Sequence, residues 1–232
     1  DYIVAMRLCA TDNADGDYPQ STSYFTGGFH GYQSETSGPF TPTMREISKK
    51  VYINGKPMPP NTYSYCDSVR IVVENLIQGS NTEKEDGSGR DIIKQVITLT
   101  CHDEYYNILV DLIPLEDVLI YQSNGLCFYN DFDNIQFIGS KTHTETYPKD
   151  KVTRADKCVN TIRQFNNKYV FDVYMDLNYG IGNQQYNESS SNASIESACK
   201  SYFVLIDKKN GLFVPKGSRL SFRGGYRFNT TF

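Results

Sequence analysis

Each of the three histidines stands in a setting that could support chemistry. His30 lies in 27-GGFHGYQSET-36, among three glycines and close to Tyr32. Its imidazole could exchange hydrogen bonds with a sugar hydroxyl beside the tyrosine ring. In the competing interpretation the glycines let two strands cross closely, and His30 is bonded to the backbone. We expect this turn to be tightly held, with His30 at least partly buried.

The other two histidines are each followed by a glutamate, in 102-HDEYY-106 and 143-HTE-145. Such groups could supply acid/base chemistry or a metal site, and glycoside hydrolysis needs two carboxyl groups that face each other. Glu104 and Glu145 are the candidates for that pair. Structural or solvent-exposed roles are the alternative, because Asp103 and Glu104 fall between two apolar runs, where a turn is expected. The sequence has no G-x-S-x-G, H-E-x-x-H or P-loop signature, and we predict no catalytic residue, no metal ligand and no cofactor.

A third candidate is the polar stretch 79-GSNTEKEDGSGR-90. Its acidic side chains are of the type that binds calcium, but the EF-hand spacing is not present and basic residues interrupt the acidic field. A solvated hairpin loop is the simpler interpretation. If this stretch binds a ligand, we predict that Asp86 and Arg90 do so, because arginine offers a fork for a carboxylated sugar. The predicted glycan-binding residues are His30, Tyr32, Asp86, Arg90, His102 and Tyr105.

The elements that must position these residues are predicted to be β-strands. The chain has 18 tyrosines, 13 phenylalanines and no tryptophan, and short alternating runs bounded by turn residues recur along it. We predict strands within residues 1–9, 51–55, 68–78, 92–102, 105–115, 117–122, 134–139, 169–177, 201–209 and 218–228. Asn54-Gly55 is a hairpin signal. Residues 192–202 could form one short helix capped by Asn192 or Ser194, and 79–90 and 182–194 are predicted loops.

Length and charge limit the class of protein. A chain of 232 residues can form one large β domain, and we predict a single domain over 1–232. The net charge of −4 includes no basic stripe, so nucleic acid is not an expected partner. No apolar run is long enough to span a membrane. The six cysteines show no CxxC spacing, and we expect mostly free thiols. Because the sequence begins at Asp1, we expect a C-terminal fragment of a longer chain.

Several of these stretches together resemble a known kind of domain. The segments 24-YFTGGFHGY-32, 51-VYINGK-56 and 75-NLIQGSNTEKEDGSGRDI-92, with the ending 201-SYFVLI-206 and 216-KGSRLSFRGGYRF-228, resemble C-terminal domains of bacteriophage tail fibres and tailspikes. The resemblance implies a homotrimeric tip on a virion tail appendage that binds a bacterial cell-surface polysaccharide. The pattern is also similar to the large β-sandwiches of carbohydrate-active proteins, including the supersandwich.

The predicted fold is therefore all-β, a large antiparallel β-sandwich with long loops and at most one short helix. The predicted function is recognition of a host-surface glycan without catalysis, because a tyrosine-rich β surface suits carbohydrate. Two alternatives remain open at this point. One is an enzyme that degrades or deacetylates the glycan, using His30, Glu104 or Glu145. The other is a structural trimerisation tip that binds no ligand.

Overall fold

The computed structural model describes residues 44–59, 65–78, 90–102, 105–120, 123–139, 143–181, 190–196, 200–207 and 211–229. Three of the predicted glycan-binding residues, His30, Tyr32 and Asp86, lie outside these ranges. The predicted strand over residues 1–9 and the predicted turn at Asp103 and Glu104 also lie outside them.

Every regular element in the described ranges is a β-strand. The sixteen strands are β1 (Met44–Ile53), β2 (Lys56–Pro57), β3 (Val69–Gln78), β4 (Asp91–Cys101), β5 (Tyr105–Pro114), β6 (Val118–Ile120), β7 (Ser123–Tyr129), β8 (Asn134–Ile138), β9 (Thr144–Pro148), β10 (Thr153–Arg154), β11 (Thr161–Phe165), β12 (Val170–Met175), β13 (Ala193–Glu196), β14 (Lys200–Ile206), β15 (Leu212–Val214) and β16 (Leu220–Asn229). Within the described ranges no helix is long and apolar enough to cross a membrane. The predicted all-β class is confirmed.

The strands form three antiparallel sheets. The largest has ten strands in the order β2-β1-β3-β4-β5-β16-β12-β11-β8-β9, and the others are β10-β13-β14-β7 and β15-β6. The strand β16, which is last in sequence, pairs with β5 on one side and with β12 on the other. It therefore joins the half of the sheet formed by β1 to β5 to the half formed by β8, β9, β11 and β12.

The four-stranded sheet packs against the middle of the ten-stranded sheet. The rings of Phe128 on β7 and Phe171 on β12 meet edge to face with centroids 5.6 Å apart. The buried phenol of Tyr226 on β16 donates a hydrogen bond of 2.8 Å to the carbonyl of Cys127 on β7. These contacts place the core between the two sheets, in the manner of the predicted β-sandwich.

Alternation along the strands separates an inner face of the large sheet from an outer face. On β4, Ile93, Ile97 and Leu99 are buried, whereas the intervening Lys94 and Thr98 are half-buried. Because successive side chains of a strand point to opposite sides, the first set lies on the inner face towards the core. We use "outer face" for the opposite side of the ten-stranded sheet.

The predicted hairpin at Asn54-Gly55 is confirmed. Asn54 and Gly55 have φ of 47° and 79°, and they connect β1 to β2, in which Ile53 pairs with Lys56. Positive φ at both central residues is the geometry that Asn-Gly favours, because its twist matches that of the flanking strands.

The predicted helix over residues 192–202 is wrong. Strands β13 and β14 lie in this segment, and β13 pairs with β10 and with β14. Asn192 is fully buried, and its side chain accepts a hydrogen bond from Val159 N and donates one to Val159 O, both at 2.8 Å. Pairing on both sides of β13 satisfies the backbone more completely than one helical turn could, so tertiary contacts override the local preference.

Candidate functional site

The adjoining ends of the paired strands β4 and β5 bring two of the predicted site residues together. His102 N donates a backbone hydrogen bond of 2.9 Å to Tyr105 O. The two rings stack with centroids 4.5 Å apart and planes 23° apart. Tyr105 is 40% exposed. The structure therefore provides an accessible aromatic platform at this place, and its role in glycan binding stays a prediction.

Arg227 of β16 lies directly beside this platform on the outer face. In the strand register Tyr105 is opposite Arg227, and Arg227 is opposite Asp172 of β12. Side chains directly opposite in antiparallel strands have Cβ atoms about 4.5–5.5 Å apart. Both carboxylate oxygens of Asp172 are taken by the guanidinium of Arg163, at 2.7 and 2.9 Å. Arg227 is exposed, and no carboxylate of the described residues forms a salt bridge with it.

A second tyrosine, Tyr174, lies one row of side chains away from Arg227 on the outer face. Tyr174 of β12 is opposite Gly225, and its phenol reaches across β16 to donate a hydrogen bond to Asn107 of β5. Burial raises the pKa of Tyr174 above its ordinary value, and the charges of Arg227 and Arg223 act in the opposite direction. The phenol is therefore protonated at neutral pH and remains a hydrogen-bond donor.

Arg223 has the same orientation as Arg227 but a different environment. The two residues are four apart on β16, so both lie on the outer face, separated by roughly 13 Å. Arg223 Nε donates to Asp176 Oδ2 at 2.8 Å, and its guanidinium carbon lies 4.3 Å from the ring centroid of Tyr179. The charge of Arg223 is therefore matched by a carboxylate, whereas none of the described carboxylates forms a salt bridge with Arg227.

The row continues across the sheet to β1. Asn107 is opposite Thr100, Thr100 is opposite Arg70, and Arg70 is opposite Tyr52. The guanidinium carbon of Arg70 lies 4.4 Å from the centroid of the Tyr52 ring. We call the whole surface the tyrosine–arginine face. Its residues are Tyr52, Arg70, His102, Tyr105, Tyr174, Tyr179, Arg223 and Arg227.

Sequence reasoning identifies His102 and Tyr105 but none of the other six residues. A signal is present in 218-SRLSFRGGYRF-228, where two arginines four residues apart flank a glycine pair. On a strand, that spacing places both guanidiniums on one face. The neighbours of Arg227 could not be found in the same way, since Tyr105 and Tyr174 are distant from it in sequence.

Arg90 lies at the other end of β4. Its guanidinium binds both carboxylate oxygens of Glu116, with Nε and Nη2 each at 2.7 Å. Arg90 and His102 are separated by roughly 40 Å along the strand. The structure therefore does not bring Arg90 to the tyrosine–arginine face, and its fork is occupied by a carboxylate of the chain.

His143 and Glu145 form a separate cluster at the edge strand β9. His143 Nε2 donates to Glu145 Oε1 at 2.5 Å, and the phenol of Tyr147 donates to Oε2 at 2.8 Å. The backbone N–H of Asp156 also donates to Glu145. The hydrogen bond from Tyr147 to Glu145, together with burial, raises the pKa of Tyr147 to about 12. The Glu145 carboxylate is thus saturated with donors.

This cluster does not meet His102. Glu145 is opposite Phe137 of β8, which is fully buried, so Glu145 lies on the inner side of the sheet, whereas His102 lies on the outer face. The two strands β4 and β9 are six positions apart in the sheet, or roughly 30 Å at the usual spacing. The two histidine motifs therefore do not form one acid/base or metal site.

The described cysteines are free thiols. Cys66, Cys101, Cys127 and Cys158 form no disulfide. Burial raises the pKa of Cys101 to about 11 and also raises the pKa of Cys158. Since the thiolate is the nucleophile, these two groups are in their unreactive form at neutral pH. In the described part of the chain no group of three His, Cys, Asp or Glu side chains is arranged to hold a metal ion.

Comparison with known proteins adds no family to this geometry. No family model matches the chain, and no curated protein is similar enough in sequence to be matched with it. The tyrosine–arginine face is accordingly the feature from which a function can be proposed.

Proposed function

We propose that this domain recognises a host-surface glycan and that the tyrosine–arginine face is its binding surface. The observation that carries the proposal is the exposed ring of Tyr105, which is stacked on His102 and stands beside Arg227. An aromatic ring offers an apolar surface to the C–H face of a sugar. The guanidinium and imidazole next to it offer hydrogen bonds to the sugar's oxygens.

The side chains around Tyr105 favour a glycan over a protein partner. The row through His102, Tyr105 and Arg227 continues to Gln136 and Thr146 and contains no aliphatic side chain. A stable protein interface usually has an apolar centre from which charged residues are depleted. The tyrosine, imidazole, amide, hydroxyl, guanidinium and carboxylate groups of this row are the chemistry that complements a hydroxyl-rich ligand.

The setting we propose is the tip of a phage tail fibre or tailspike, which acts outside the bacterial cell. It rests on the resemblance of the segments named above. In a homotrimer three copies of the face would engage one cell surface together. Weak single sites then suffice, because linkage raises the effective concentration of the second and third sites.

Glu145, the one candidate catalytic residue within the described ranges, is poorly placed for catalysis. The oxygens of Glu145 are occupied by His143, Tyr147 and the backbone of Asp156. A general acid or a nucleophile needs an oxygen that can reach the substrate. The alternative remains a polysaccharide-degrading or deacetylating enzyme, for which release of reducing ends or acetate is the direct assay.

An array of bacterial surface polysaccharides tests the proposal. The wild-type domain should bind a subset of them, and Tyr105→Ala should weaken that binding by roughly threefold to tenfold through loss of the aromatic contact. Tyr129→Ala is the matched control, because Tyr129 is 47% exposed but lies on β7, outside the face. Failure of the wild type to bind any glycan, or equal losses in the two variants, would overturn the proposal. Release of reducing ends or acetate would favour the enzyme.

A further inference from the structure

We infer that the glycan is acidic and that Arg227 binds its carboxylate. The inference rests on the proposed function and specifies the ligand class of the same site. Its basis is the distribution of charge on the outer face, which is independent of the aromatic contacts used above.

Each carboxylate on the outer face of the described strands already has a partner within the chain. Five such carboxylates occur in the described parts of β3, β4, β5, β12 and the turn after β12. They are Glu74, bonded to Lys94 at 2.9 Å, Asp91, bonded to Arg45 at 2.7 Å, Asp111, bonded to Ser221 at 2.5 Å, Asp172, bonded to Arg163 at 2.7 Å, and Asp176, bonded to Arg223 at 2.7 Å. Arg70 and Arg227 are left without a carboxylate of the described residues. Among the described residues the face therefore has a surplus of positive charge, although the chain has a net charge of −4.

The position of Arg227 suits a planar anion next to a sugar ring. Its fork can donate two parallel hydrogen bonds to one carboxylate, a geometry that lysine cannot provide. Tyr105 lies opposite it on β5, and Tyr174 lies one row away on β12. A sugar ring stacked on Tyr105 would thus carry its carboxylate towards the guanidinium of Arg227.

A comparison of Arg223 with Arg227 explains why we assign carboxylate binding to Arg227. Both arginines lie on β16 and on the same face, and both stand near tyrosines. Asp176 neutralises Arg223 at 2.7 Å, so an added anion would meet a pair with no net charge. At Arg227 the same anion meets a cation with which no carboxylate of the described residues forms a salt bridge.

The experiment uses the polysaccharide that the wild-type domain binds most tightly on the array, together with the same polysaccharide after its carboxyl groups have been reduced to alcohols. The inference predicts that this best ligand is carboxylated and that reduction weakens wild-type binding by roughly tenfold to a hundredfold. Arg227→Gln should lose a similar factor on the native glycan and almost nothing more on the reduced one. Arg154→Gln removes the same charge from β10, outside the face, and should bind like the wild type.

The outcomes separate the inference from the proposed function. A best ligand that is neutral, or that owes its charge to sulfate or phosphate alone, would overturn the inference and leave glycan recognition standing. The inference is likewise overturned, and glycan recognition retained, if Arg227→Gln binds like the wild type while Tyr105→Ala is weakened. If the wild type binds no glycan, the proposed function fails and the inference fails with it.

Discussion

The ring of Tyr174 lies over Gly225 on the neighbouring strand. A Cβ atom at position 225 would stand 2.8 Å from the Tyr174 phenol oxygen and 2.0 Å from the carbonyl oxygen of Tyr106. Neither distance leaves room for a side chain, so only glycine allows the ring to cross β16 and reach Asn107. Because Gly225 has no side chain, the ring of Tyr174 can lie between Arg223 and Arg227 on the outer face.

Gly225→Ala should destabilise the fold and displace the Tyr174 ring. Overpacking of this kind costs about 1–3 kcal/mol, measured as a change in the free energy of unfolding in urea. Tyr174→Phe is the companion variant, since it keeps the ring and loses only the hydrogen bond to Asn107, for about 1 kcal/mol. If Gly225→Ala were as stable as the wild type, the close contact between Tyr174 and β16 would not exist in solution.

Replacing Asn192 should cost more than replacing an exposed asparagine. Its buried amide pairs with both the N–H and the carbonyl of Val159, and Asn192→Ala leaves both groups without a partner. The expected loss is about 2–4 kcal/mol in the free energy of unfolding. Asn178→Ala provides the control, because Asn178 is exposed, and we expect a change below about 0.5 kcal/mol. An equal loss of unfolding free energy in the two variants would show that the hydrogen bonds between Asn192 and Val159 do not stabilise the fold.

Alkaline pH should destabilise the fold through Cys101. Burial raises the pKa of its thiol from the ordinary 9.0 to about 11. Between these values the unfolded chain releases the proton and the folded chain keeps it, so this contribution is complete below pH 9 and is lost as the pH rises through 11. At pH 9 only about one folded Cys101 in a hundred is a thiolate, against about half when unfolded. Alkylation by iodoacetamide, mapped by mass spectrometry with and without urea, measures the difference. Equal alkylation rates with and without urea would contradict the burial of Cys101.

Glu145→Gln should lower stability and leave glycan binding unchanged. The variant loses the negative charge that holds His143, Tyr147 and the Asp156 N–H, at an expected cost of about 1–3 kcal/mol. Removal of the charge should also move the pKa of Tyr147 down from about 12, which ¹³C NMR of labelled tyrosine rings can follow. Glu46→Gln is the control, because it also removes a glutamate charge that pairs with another side chain, here Lys49 on β1. Loss of binding or of glycan cleavage at unchanged stability would make Glu145 a working site residue.

Much of the fold could be predicted from local patterns. The alternation in β3, β4 and β5 and the Asn-Gly turn after β1 are signals within one stretch of chain, and the structure confirms them. The short strands β7, β9, β10, β11 and β15 are absent from the prediction because they stand where no clear turn-bounded run is recognisable. The error at 192–202 has a different cause. A short segment such as β13 takes its conformation from the strands on both sides of it, and that information is not local.

The candidate site was predictable only where its residues are neighbours in sequence. His102 and Tyr105 are three residues apart in sequence, at the adjoining ends of two antiparallel strands, so their proximity follows from the local pattern. The position of Arg227 beside Tyr105 depends on β16 being inserted between β5 and β12. No pattern in the sequence states which strands pair or in what register. For that reason Arg227, the exposed arginine beside Tyr105, is not among the predicted residues.

The central place of β16 has a consequence for how the protein is made. Ser221 of β16 meets Asp111 of β5, 110 residues earlier in the chain. While a ribosome is still synthesising the residues before 220, the edges of β5 and β12 cannot have their final partner, and unpaired strand edges promote aggregation. A chain released before β16 is complete would hold Asn107 and Tyr174 on two unconnected half-sheets. Premature termination should therefore divide the tyrosine–arginine face and remove Arg223 and Arg227 from it, even though most of its residues have already been translated.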